Sequence, residues 1–280
     1  MNVKLDGRQV SNEIYEEIKK GQKYAKTSKT LAIITVGNDE ASQVYVKSKK
    51  VRAVECGFKF MHIQMSEDTT YFDLEKTVDS LNKNDTVNGI IIQKPLPQQL
   101  RVWDKMIDEL VDPSKDIDGF HPMSHFKSCT PKGIITLLDS YVVPYHCKNV
   151  VIAGRSKIVA QPLSKMFMDR DCTVTMIHSH TPEHTVRNLI ENCDVFVSAI
   201  GKPHYWTKDY FSDTQNKLAI IDVGINRITT FNDFGTEITK VVGDVHPDCY
   251  QYFNYYTPVP GGVGLMTVAT LINNLSITNN

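Results

Sequence analysis

Apolar, β-branched runs alternate with amphipathic segments along the whole chain. The apolar runs predict strands at 30–36, 58–65, 88–93, 149–153, 172–178, 194–200, 217–223 and 238–245. The segments with helical spacing predict helices at 11–26, 41–56, 70–83, 131–142, 160–170, 182–192 and 263–275. Near-continuous apolar strands that alternate with helices are typical of parallel sheets buried on both faces. The pattern therefore predicts an α/β fold.

A stretch rich in proline, aspartate and serine, residues 111–131, divides this alternation into two halves. With 280 residues the chain has room for two modest domains. We therefore predict a first domain over residues 1–120 and a second domain over residues 121–263. The last segment, residues 264–280, is expected to return and complete the first domain.

Composition and charge narrow the class of protein. Hydrophobic residues make up 41% and charged residues 22% of the chain, as in ordinary globular proteins. Because 31 basic residues stand against 32 acidic ones, charge favours neither a nucleic acid nor an anionic membrane as a partner. No apolar run reaches the length of about eighteen residues that spans a bilayer, and the polar N-terminus lacks the apolar centre of a secretory signal. We expect a cytoplasmic protein.

The six cysteines are scattered, without a Cys-x-x-Cys pair, and no histidine cluster has the spacing of zinc ligands. Free thiols in a reducing cytosol, and no metal site, are therefore expected. Cys129 lies in a chemically interesting stretch, but nothing beside it in the sequence would activate a thiolate. It is not predicted to be a nucleophile.

The sequence NVVIAGRSKIVAQP, residues 149–162, indicates a strand, a glycine turn and the start of a helix. Gly154 allows the tight turn, and the N–H groups of the helix start could hold a pyrophosphate. The loop lacks the full Gly-x-Gly-x-x-Gly pattern, because Ser156 and Ala160 stand at the later positions. A nucleotide loop and a plain strand-to-helix connection both remain possible on this motif alone.

The next strand bears on the choice of nucleotide. It ends in His178, Ser179 and His180, without the Asp or Glu that binds ribose hydroxyls in NAD-binding folds. Arg155, in the loop, carries a planar guanidinium that suits a 2′-phosphate. These features favour NADP over NAD. The alternative for Arg155 is a solvated loop charge.

A possible substrate-binding pair precedes the nucleotide loop. Tyr45 and Lys49 lie four residues apart on the predicted helix 41–56, which places a phenol and an ammonium on one face. In short-chain dehydrogenases a Tyr-x-x-x-Lys pair follows the glycine loop within a single domain. Here the pair precedes the loop, so we assign it to a separate substrate domain.

Three further motifs add polar or close-packed groups. Gln93 ends a predicted strand, where it can point into a ligand crevice or simply satisfy loop backbone. Asp116 and Asp118 form an Asp-x-Asp pair, for which an Asx turn is the simpler interpretation. The segment TPVPGGVGL, residues 257–265, combines prolines and glycines in a rigid loop whose backbone a flat ligand could approach closely.

These pieces combine into a resemblance to a known family. The ordered set ASQVYVKSK, GIIIQKPLP, KDIDGFHP, CTPKG, GRSKIVAQP, DVGIN, VGDV and TPVPGGVGLMT resembles the motifs of the bifunctional methylenetetrahydrofolate dehydrogenase/methenyltetrahydrofolate cyclohydrolase family. The motifs run in the family's order from about residue 41 to residue 267, which is nearly the whole chain. Each motif alone is modest support, whereas eight in register are specific.

The resemblance implies an N-terminal folate-binding α/β domain completed by the C-terminal helix, a Rossmann-type NADP domain, and a cleft between them. It implies that methylenetetrahydrofolate is oxidised to methenyltetrahydrofolate with NADP and then hydrolysed to formyltetrahydrofolate. It also implies that the protein forms a homodimer and that it serves one-carbon metabolism and purine biosynthesis. Its substrates would be tetrahydrofolate derivatives, with or without a polyglutamate tail.

The resemblance also implies roles for individual residues. Lys49 matches the lysine of the acid–base steps, and Gln93 matches the glutamine that tunes it. Tyr45 matches the tyrosine that packs beside the pterin and aminobenzoate, and Asp118 matches the aspartate that anchors the pterin. The loop against the folate matches Pro260, Gly261 and Gly262. The positions that hold NADP match Gly154, Arg155, Ser156, Ser179 and Ile225, with Arg155 and Ser179 at the 2′-phosphate.

Three departures from the family's pattern leave alternatives open. Lys94 replaces a leucine, Ala160 a loop glycine, and Leu265 a proline. A cation at Lys94 could alter Lys49, attract the glutamate tail of the substrate, or face solvent without effect. One alternative is therefore a dehydrogenase without the cyclohydrolase activity. Others are an enzyme that resembles shikimate dehydrogenase and a folate- or NADP-binding protein without catalysis.

Overall fold

A computed structural model describes residues 2–24, 28–211, 217–231 and 236–279. Its strands are β1 (Val3–Lys4), β2 (Thr30–Val36), β3 (Lys59–Met65), β4 (Gly89–Ile92), β5 (Asn149–Ala153), β6 (Thr173–Ile177), β7 (Val195–Ser198), β8 (Lys217–Asp222), β9 (Asn226–Phe231), β10 (Glu237–Val242) and β11 (Phe253–Tyr256). Its α-helices are α1 (Gly7–Gln22), α2 (Glu40–Glu55), α3 (Tyr71–Asn82), α4 (Gln98–Arg101), α5 (Asp104–Asp108), α6 (Cys129–Ser140), α7 (Ala160–Met168), α8 (Glu183–Glu191) and α9 (Val263–Ile277).

The alternation of these elements confirms the predicted α/β class. The chain divides into two compact units, one made of Met1–Ser11 and Thr130–Thr267, the other of Asn12–Cys129 and Val268–Asn280. Residues 1–11 group with the later part of the chain because β1 pairs with β11. The domain limits predicted from the sequence, 1–120 with 264–280 and 121–263, stay a prediction.

The unit that contains α2 is built on a three-stranded parallel sheet in the order β3-β2-β4. Every residue of β2 and β4 is buried, as the unbroken apolar sequences TLAIITV and GIII predict for a strand covered on both faces. One face packs into a cluster that includes Ala269 and Ile272 of α9, which are fully buried. The other face packs against α3 through Leu74 and Val78.

The other unit contains a six-stranded parallel sheet in the order β1-β11-β8-β7-β5-β6. From β5 the chain passes to β6 on one side and then to β7 on the other. This reversal is a topological switch point, and in open α/β sheets ligands bind in the crevice at the carboxyl ends of the strands there. The loops after β5, β6 and β7 therefore border the crevice in which a nucleotide would bind.

Some predictions from the sequence require correction. The strand predicted at 238–245 is β10, but it pairs antiparallel with β9 outside the two parallel sheets, in register from Glu237 with Phe231 to Val242 with Asn226. Its residues are exposed or half-buried, so its β-branched composition reflects a two-stranded ribbon and not a buried strand. Strands β1, β9 and β11 and helices α4 and α5 were not predicted. The predicted helix 11–26 begins earlier, at Gly7, and residues 25 and 26 lie outside the described residues.

None of the helices among residues 2–24, 28–211, 217–231 and 236–279 is long and apolar enough to cross a membrane.

Candidate active site and nucleotide pocket

Lys49 lies on α2 and is only 6% exposed. The helix begins after Asp39, whose carboxylate accepts a hydrogen bond from the N–H of Ser42 at 2.7 Å. Lys49 Nζ donates to Gln93 Oε1 at 3.0 Å. This partner is a neutral amide oxygen, which satisfies the buried amine without supplying an opposite charge. Tyr45, one turn earlier, is half-buried.

Gln93 is held in place by the backbone on both sides. Its N–H donates to the carbonyl of Ile34 on β2 at 2.9 Å, which continues the pairing of β4 with β2. Its side-chain Nε2 donates to the carbonyl of Lys94 at 2.7 Å. Because the amide nitrogen is used in this way, the oxygen is left to face Lys49. Gln93 therefore fits both interpretations: its amide nitrogen satisfies the loop backbone, and its amide oxygen is the partner of Lys49.

Asp116 serves the turn of the Asp-x-Asp motif. Its two carboxylate oxygens accept hydrogen bonds from the N–H groups of Gly119 at 3.2 Å and His121 at 2.8 Å. Burial raises the pKa of Asp116 to about 6. The predicted use of this motif in a turn is thus confirmed for Asp116, whereas Asp118 is buried within the same turn.

Lys115 anchors the loop ahead of these carboxylates. Its ammonium donates to the carbonyls at the end of α3, at distances of 3.1, 2.7 and 2.9 Å to Leu81, Asn82 and Asn84. Cations bind well at helix C-termini because the last carbonyls lack intrahelical partners. The Asp-x-Asp loop is therefore tied to the core of its unit just before the site residues begin.

Cys129 is fully enclosed beside this loop. Its thiol donates to the carbonyl of Ile117 at 3.2 Å, and burial raises its pKa well above the ordinary value, with Asp118 and Lys49 as charged neighbours. A raised pKa keeps the thiol protonated, and a thiolate is the reactive form. The structure thus agrees with the expectation that Cys129 is not a nucleophile.

The Pro-Gly-Gly loop belongs to the other unit. Gly261 has a φ of +112°, and its carbonyl accepts from the N–H of Gly7 at 2.9 Å. A Cβ at Gly262 would lie 2.7 Å from the carbonyl oxygen of Pro258. Pro260 is exposed at the tip of the loop. The positive φ therefore explains Gly261, and close packing explains Gly262, without any ligand.

Gly154 makes the turn between β5 and α7 in a conformation that requires glycine. Its φ is +135°, and a Cβ there would lie 2.7 Å from the carbonyl oxygen of Ala199, which follows β7. Ser156 Oγ accepts from the N–H groups of Val159 and Ala160, both at 3.2 Å. The hydroxyl thus accepts hydrogen bonds from N–H groups that, on the sequence motif, were expected to bind a pyrophosphate.

A cavity of about 460 Å³ opens at the switch point of the six-stranded sheet. It is lined by Ala153, Gly154, Arg155, Ile177, His178, Ser179, Thr181, Glu183, Val186, Ala199, Ile200, Lys202, Tyr205 and Trp206. Arg155 and Ser179, which come from different loops, are both exposed to this space. The acidic member of the lining, Glu183, forms an ion pair with Arg187 at 3.0 Å.

The structure separates two predicted cofactor residues from this lining. Ser156 caps α7, and Ile225 lies against the start of α9, where a Cβ at Gly264 would approach its Cδ1 to 3.0 Å. Conversely, Lys202 and Tyr205 line the cavity but were not predicted. Lys202 Nζ lies 5.2 Å from the centre of the Tyr205 ring. Charged and aromatic loop residues of this kind carry no pattern that distinguishes them in the sequence.

Two buried carboxylates, Asp244 and Asp222, support the loop after β7 that lines this cavity, and sequence reasoning gave them no role. Asp244 accepts from the N–H groups of Ile200 at 2.8 Å and Lys202 at 2.9 Å and from the hydroxyl of Ser198 at 2.9 Å. It thereby fixes the whole loop that follows β7. The segment VVGDV contained a signal for Asp244, because an aspartate in such an apolar segment is rarely buried unless it is hydrogen-bonded.

Asp222 supports Asp244 in turn. Its Oδ1 accepts from the N–H of Asp244 at 3.0 Å, and its Oδ2 accepts from the N–H of Val245 at 2.9 Å. Burial raises the pKa of Asp222 to about 7, although these N–H donors act in the opposite direction. A Cβ at Gly243 would lie 1.8 Å from Asp222 Oδ2, so the glycine between these groups is required by space.

No group of three or more His, Cys, Asp or Glu side chains that could hold a metal ion occurs within the described ranges.

Comparison with known proteins agrees with this arrangement. Residues 5–118 match the catalytic domain of tetrahydrofolate dehydrogenase/cyclohydrolase, and residues 128–279 match the NAD(P)-binding domain of the same family. A bifunctional protein FolD from Agathobacter rectalis is 38% identical over 96% of this chain and 96% of its own length.

Solved structures extend the likeness to the fold. The bifunctional FolD methylenetetrahydrofolate dehydrogenase/cyclohydrolase of Campylobacter jejuni has a TM-score of 0.89 at 34% identity and covers 99% of this chain and 98% of its own. The FolD of Trypanosoma brucei, which was solved with NADP and an inhibitor, has a TM-score of 0.88 at 30% identity and covers 98% and 96%. The family predicted from eight short motifs is confirmed: the chain belongs to the tetrahydrofolate dehydrogenase/cyclohydrolase family.

Proposed function

We propose that this enzyme oxidises 5,10-methylenetetrahydrofolate to 5,10-methenyltetrahydrofolate with NADP and then hydrolyses the product to 10-formyltetrahydrofolate. Membership of the dehydrogenase/cyclohydrolase family supports both steps. The observation that carries the proposal is the contact of the buried Lys49 ammonium with the neutral amide of Gln93. A lysine at this site can take part in both proton transfer and the placement of a folate.

Lys49 acts as the acid–base group of the hydrolysis. A lysine can transfer a proton only if it is held within reach of the reacting atoms. Lys49 is nearly enclosed, and its Nζ donates a hydrogen bond to the neutral amide oxygen Oε1 of Gln93. Gln93 then fixes the direction in which the amine points.

Asp118 binds the pterin, and Tyr45 packs beside its ring and the aminobenzoate. A pterin presents a row of N–H donors along one edge, and a carboxylate that is not already used by the turn is a suitable acceptor for them. The division of labour between Asp116 and Asp118 supports this assignment, because the backbone N–H groups occupy Asp116. Pro260, Gly261 and Gly262 are assigned to the folate loop by family resemblance.

The residues of the nucleotide pocket fit NADP. Gly154 makes the tight turn at the edge of the cavity, and Arg155 and Ser179 offer a guanidinium and a hydroxyl for a 2′-phosphate from two adjacent loops. Ser156 and Ile225 are assigned to the same cofactor by resemblance, Ser156 through its cap on α7. NADP supplies the hydride acceptor when bound; the chain's own residues orient the nucleotide and select the phosphate.

The remaining assignments rest on family resemblance. They are a homodimer, a place in the cytoplasm, a supply of one-carbon units to purine biosynthesis, and activity on folates with polyglutamate tails. Sedimentation of the purified protein tests the dimer, and a comparison of KM for mono- and pentaglutamyl substrates tests the tail.

The decisive experiment incubates purified protein with methylenetetrahydrofolate and either NADP or NAD, and follows the absorbances of the methenyl product and of the reduced nicotinamide. The proposal predicts turnover with preference for NADP, and separate hydrolysis of added methenyltetrahydrofolate. Turnover without hydrolysis would instead support a monofunctional dehydrogenase. Binding of folate and NADP without turnover would identify a non-catalytic binding protein.

A further inference from the structure

Lys94, which stands where the family's pattern has a leucine, forms an ion pair within its own unit. Its Nζ lies 2.8 Å from Asp108 Oδ1 and 3.6 Å from Asp104 Oδ1, both on α5. It also lies 5.6 Å from the centre of the Phe120 ring. The Lys94 side chain is 19% exposed, and that of Asp108 is 21% exposed. An ion pair shielded to this extent is screened less by water than a surface pair.

Asp108 borders the same space as the two carboxylates of the Asp-x-Asp motif. Asp108, Asp116, Asp118 and Phe120 line one small cavity against the buried strand β4. Asp116 is engaged by backbone N–H groups. The cavity therefore has two other acidic side chains on its border, and the one at Asp108 already has a lysine as its partner.

The charge of Asp108 matters because carboxylates that share a site disfavour one another's ionised form. Burial raises the pKa of Asp108, the contact with Lys94 lowers it, and Asp104 and Asp118 raise it. The groups that face Asp108 are thus Lys94, Asp104 and Asp118, with Asp116 across the cavity. Among these groups Lys94 is the cation and the others are carboxylates.

We propose that Lys94 is a positioning residue for the folate, which acts through Asp108. Its ammonium binds the Asp108 carboxylate and compensates its charge, so that Asp118, which borders the same cavity, is the carboxylate left to accept from the N–H edge of the pterin. This inference rests on the proposed function, because it takes Asp118 as the residue that binds the pterin. It also gives Lys94 a role that does not involve contact with Lys49 or with the glutamate tail.

The test replaces Lys94 by the uncharged Leu or Gln. At pH 8 we expect the KM for methylenetetrahydrofolate to rise by about three- to tenfold, because one uncompensated charge is left beside the pterin site. The KM for NADP is expected to stay unchanged.

The second part of the test is rescue. The double variant Lys94→Leu/Asp108→Asn removes the uncompensated charge and should restore the KM to within about twofold of the unmutated value, as should Lys94→Arg. Lys83→Leu is the matched control, because Lys83 forms an exposed ion pair of 2.7 Å with Asp79 on α3. It should leave every parameter unchanged.

A folate KM that does not respond to Lys94→Leu or Lys94→Gln would overturn the inference, as would an increase that persists in the double variant. Dissociation constants for tetrahydrofolate, measured by calorimetry on the same variants, test the compensation even without turnover. Lack of turnover by the unmutated protein would therefore count against the proposed function alone. If Lys94→Leu does not fold, the Gln and Arg variants provide the same comparison.

Discussion

The Nζ of Lys49 and the Oε1 of Gln93 lie 3.0 Å apart, although 44 residues separate them in the chain. The contact joins a helix to the end of the neighbouring strand β4. Replacement of Lys49 by Met keeps the length of the side chain and removes its proton-carrying group. We expect hydrolysis of methenyltetrahydrofolate to fall by about a hundredfold or more, with NADP affinity unchanged.

The control for this prediction is the adjacent residue. Lys50 is exposed and lies over the Phe60 ring at 5.8 Å, so Lys50→Met should hydrolyse at the unmutated rate. Stopped-flow measurement of the methenyl absorbance gives both rates. Equal rates for Lys49→Met and Lys50→Met would remove Lys49 from the chemistry.

Replacement of Arg155 by Ala should change the preference between nucleotides. If the guanidinium binds the 2′-phosphate, the KM for NADP rises by about tenfold or more while the KM for NAD changes by less than about twofold. The control variant is Lys157→Ala, because Lys157 is exposed in the same loop but does not line the cavity. Equal losses for the two nucleotides would show that Arg155 contributes only general positive charge.

Replacement of Gly154 by Ala should impair both stability and NADP binding. A φ of +135° disfavours any side chain, and the new Cβ would meet the Ala199 carbonyl at 2.7 Å. We expect a loss of about 1–3 kcal/mol in the free energy of unfolding. Gly21 is the opposite case, since it lies in α1 with no heavy atom within 4 Å of its would-be Cβ. Gly21→Ala should therefore stabilise the protein by about 0.5–1 kcal/mol, as measured by urea unfolding.

The buried Asp116 predicts a pH dependence of stability. Its pKa in the folded protein, about 6, lies above the ordinary value of 3.8. Between these two values the folded state binds more protons than the unfolded state, so the free energy of unfolding falls as the pH rises. Asp116→Asn should remove this contribution, which amounts to about 1–3 kcal/mol between pH 4 and pH 7. Urea unfolding of both proteins across that range measures it, and equal pH slopes would refute the raised pKa.

Sequence patterns predicted the buried parts of this fold well. Strands β2 and β5 have the predicted bounds, because long apolar runs leave little choice when both faces are covered. The two residues of β1 and the exposed ribbon β9–β10 lack that signal. Their pairing depends on partners elsewhere in the chain, which periodicity does not reveal.

The candidate site also has a part that local sequence features predicted and a part that they did not. The Lys49–Gln93 contact follows from a helix spacing and from a strand end, both of which are local features. The network of Asp222 and Asp244 is not local, since the hydrogen bonds that the N–H groups of Asp244 and Val245 donate to Asp222 span 22 and 23 residues of the chain. Motif comparison marked these segments as characteristic, but only the packing explains why they contain carboxylates and glycines at fixed places.

The pairing of β4 with β2 sets Ile92 opposite Ile34, and the N–H of Gln93 continues that ladder. Because side chains alternate between the two faces of a strand, a slip of one residue would turn Gln93 away from Lys49. Substitutions among the isoleucines of β4 would change packing by small steps, whereas a single insertion or deletion within the strand would abolish the contact outright. The effect of a mutation in β4 therefore depends on whether it changes the length of the strand as well as on which side chain it introduces. Among functional variants, insertions and deletions in β4 should be far rarer than substitutions.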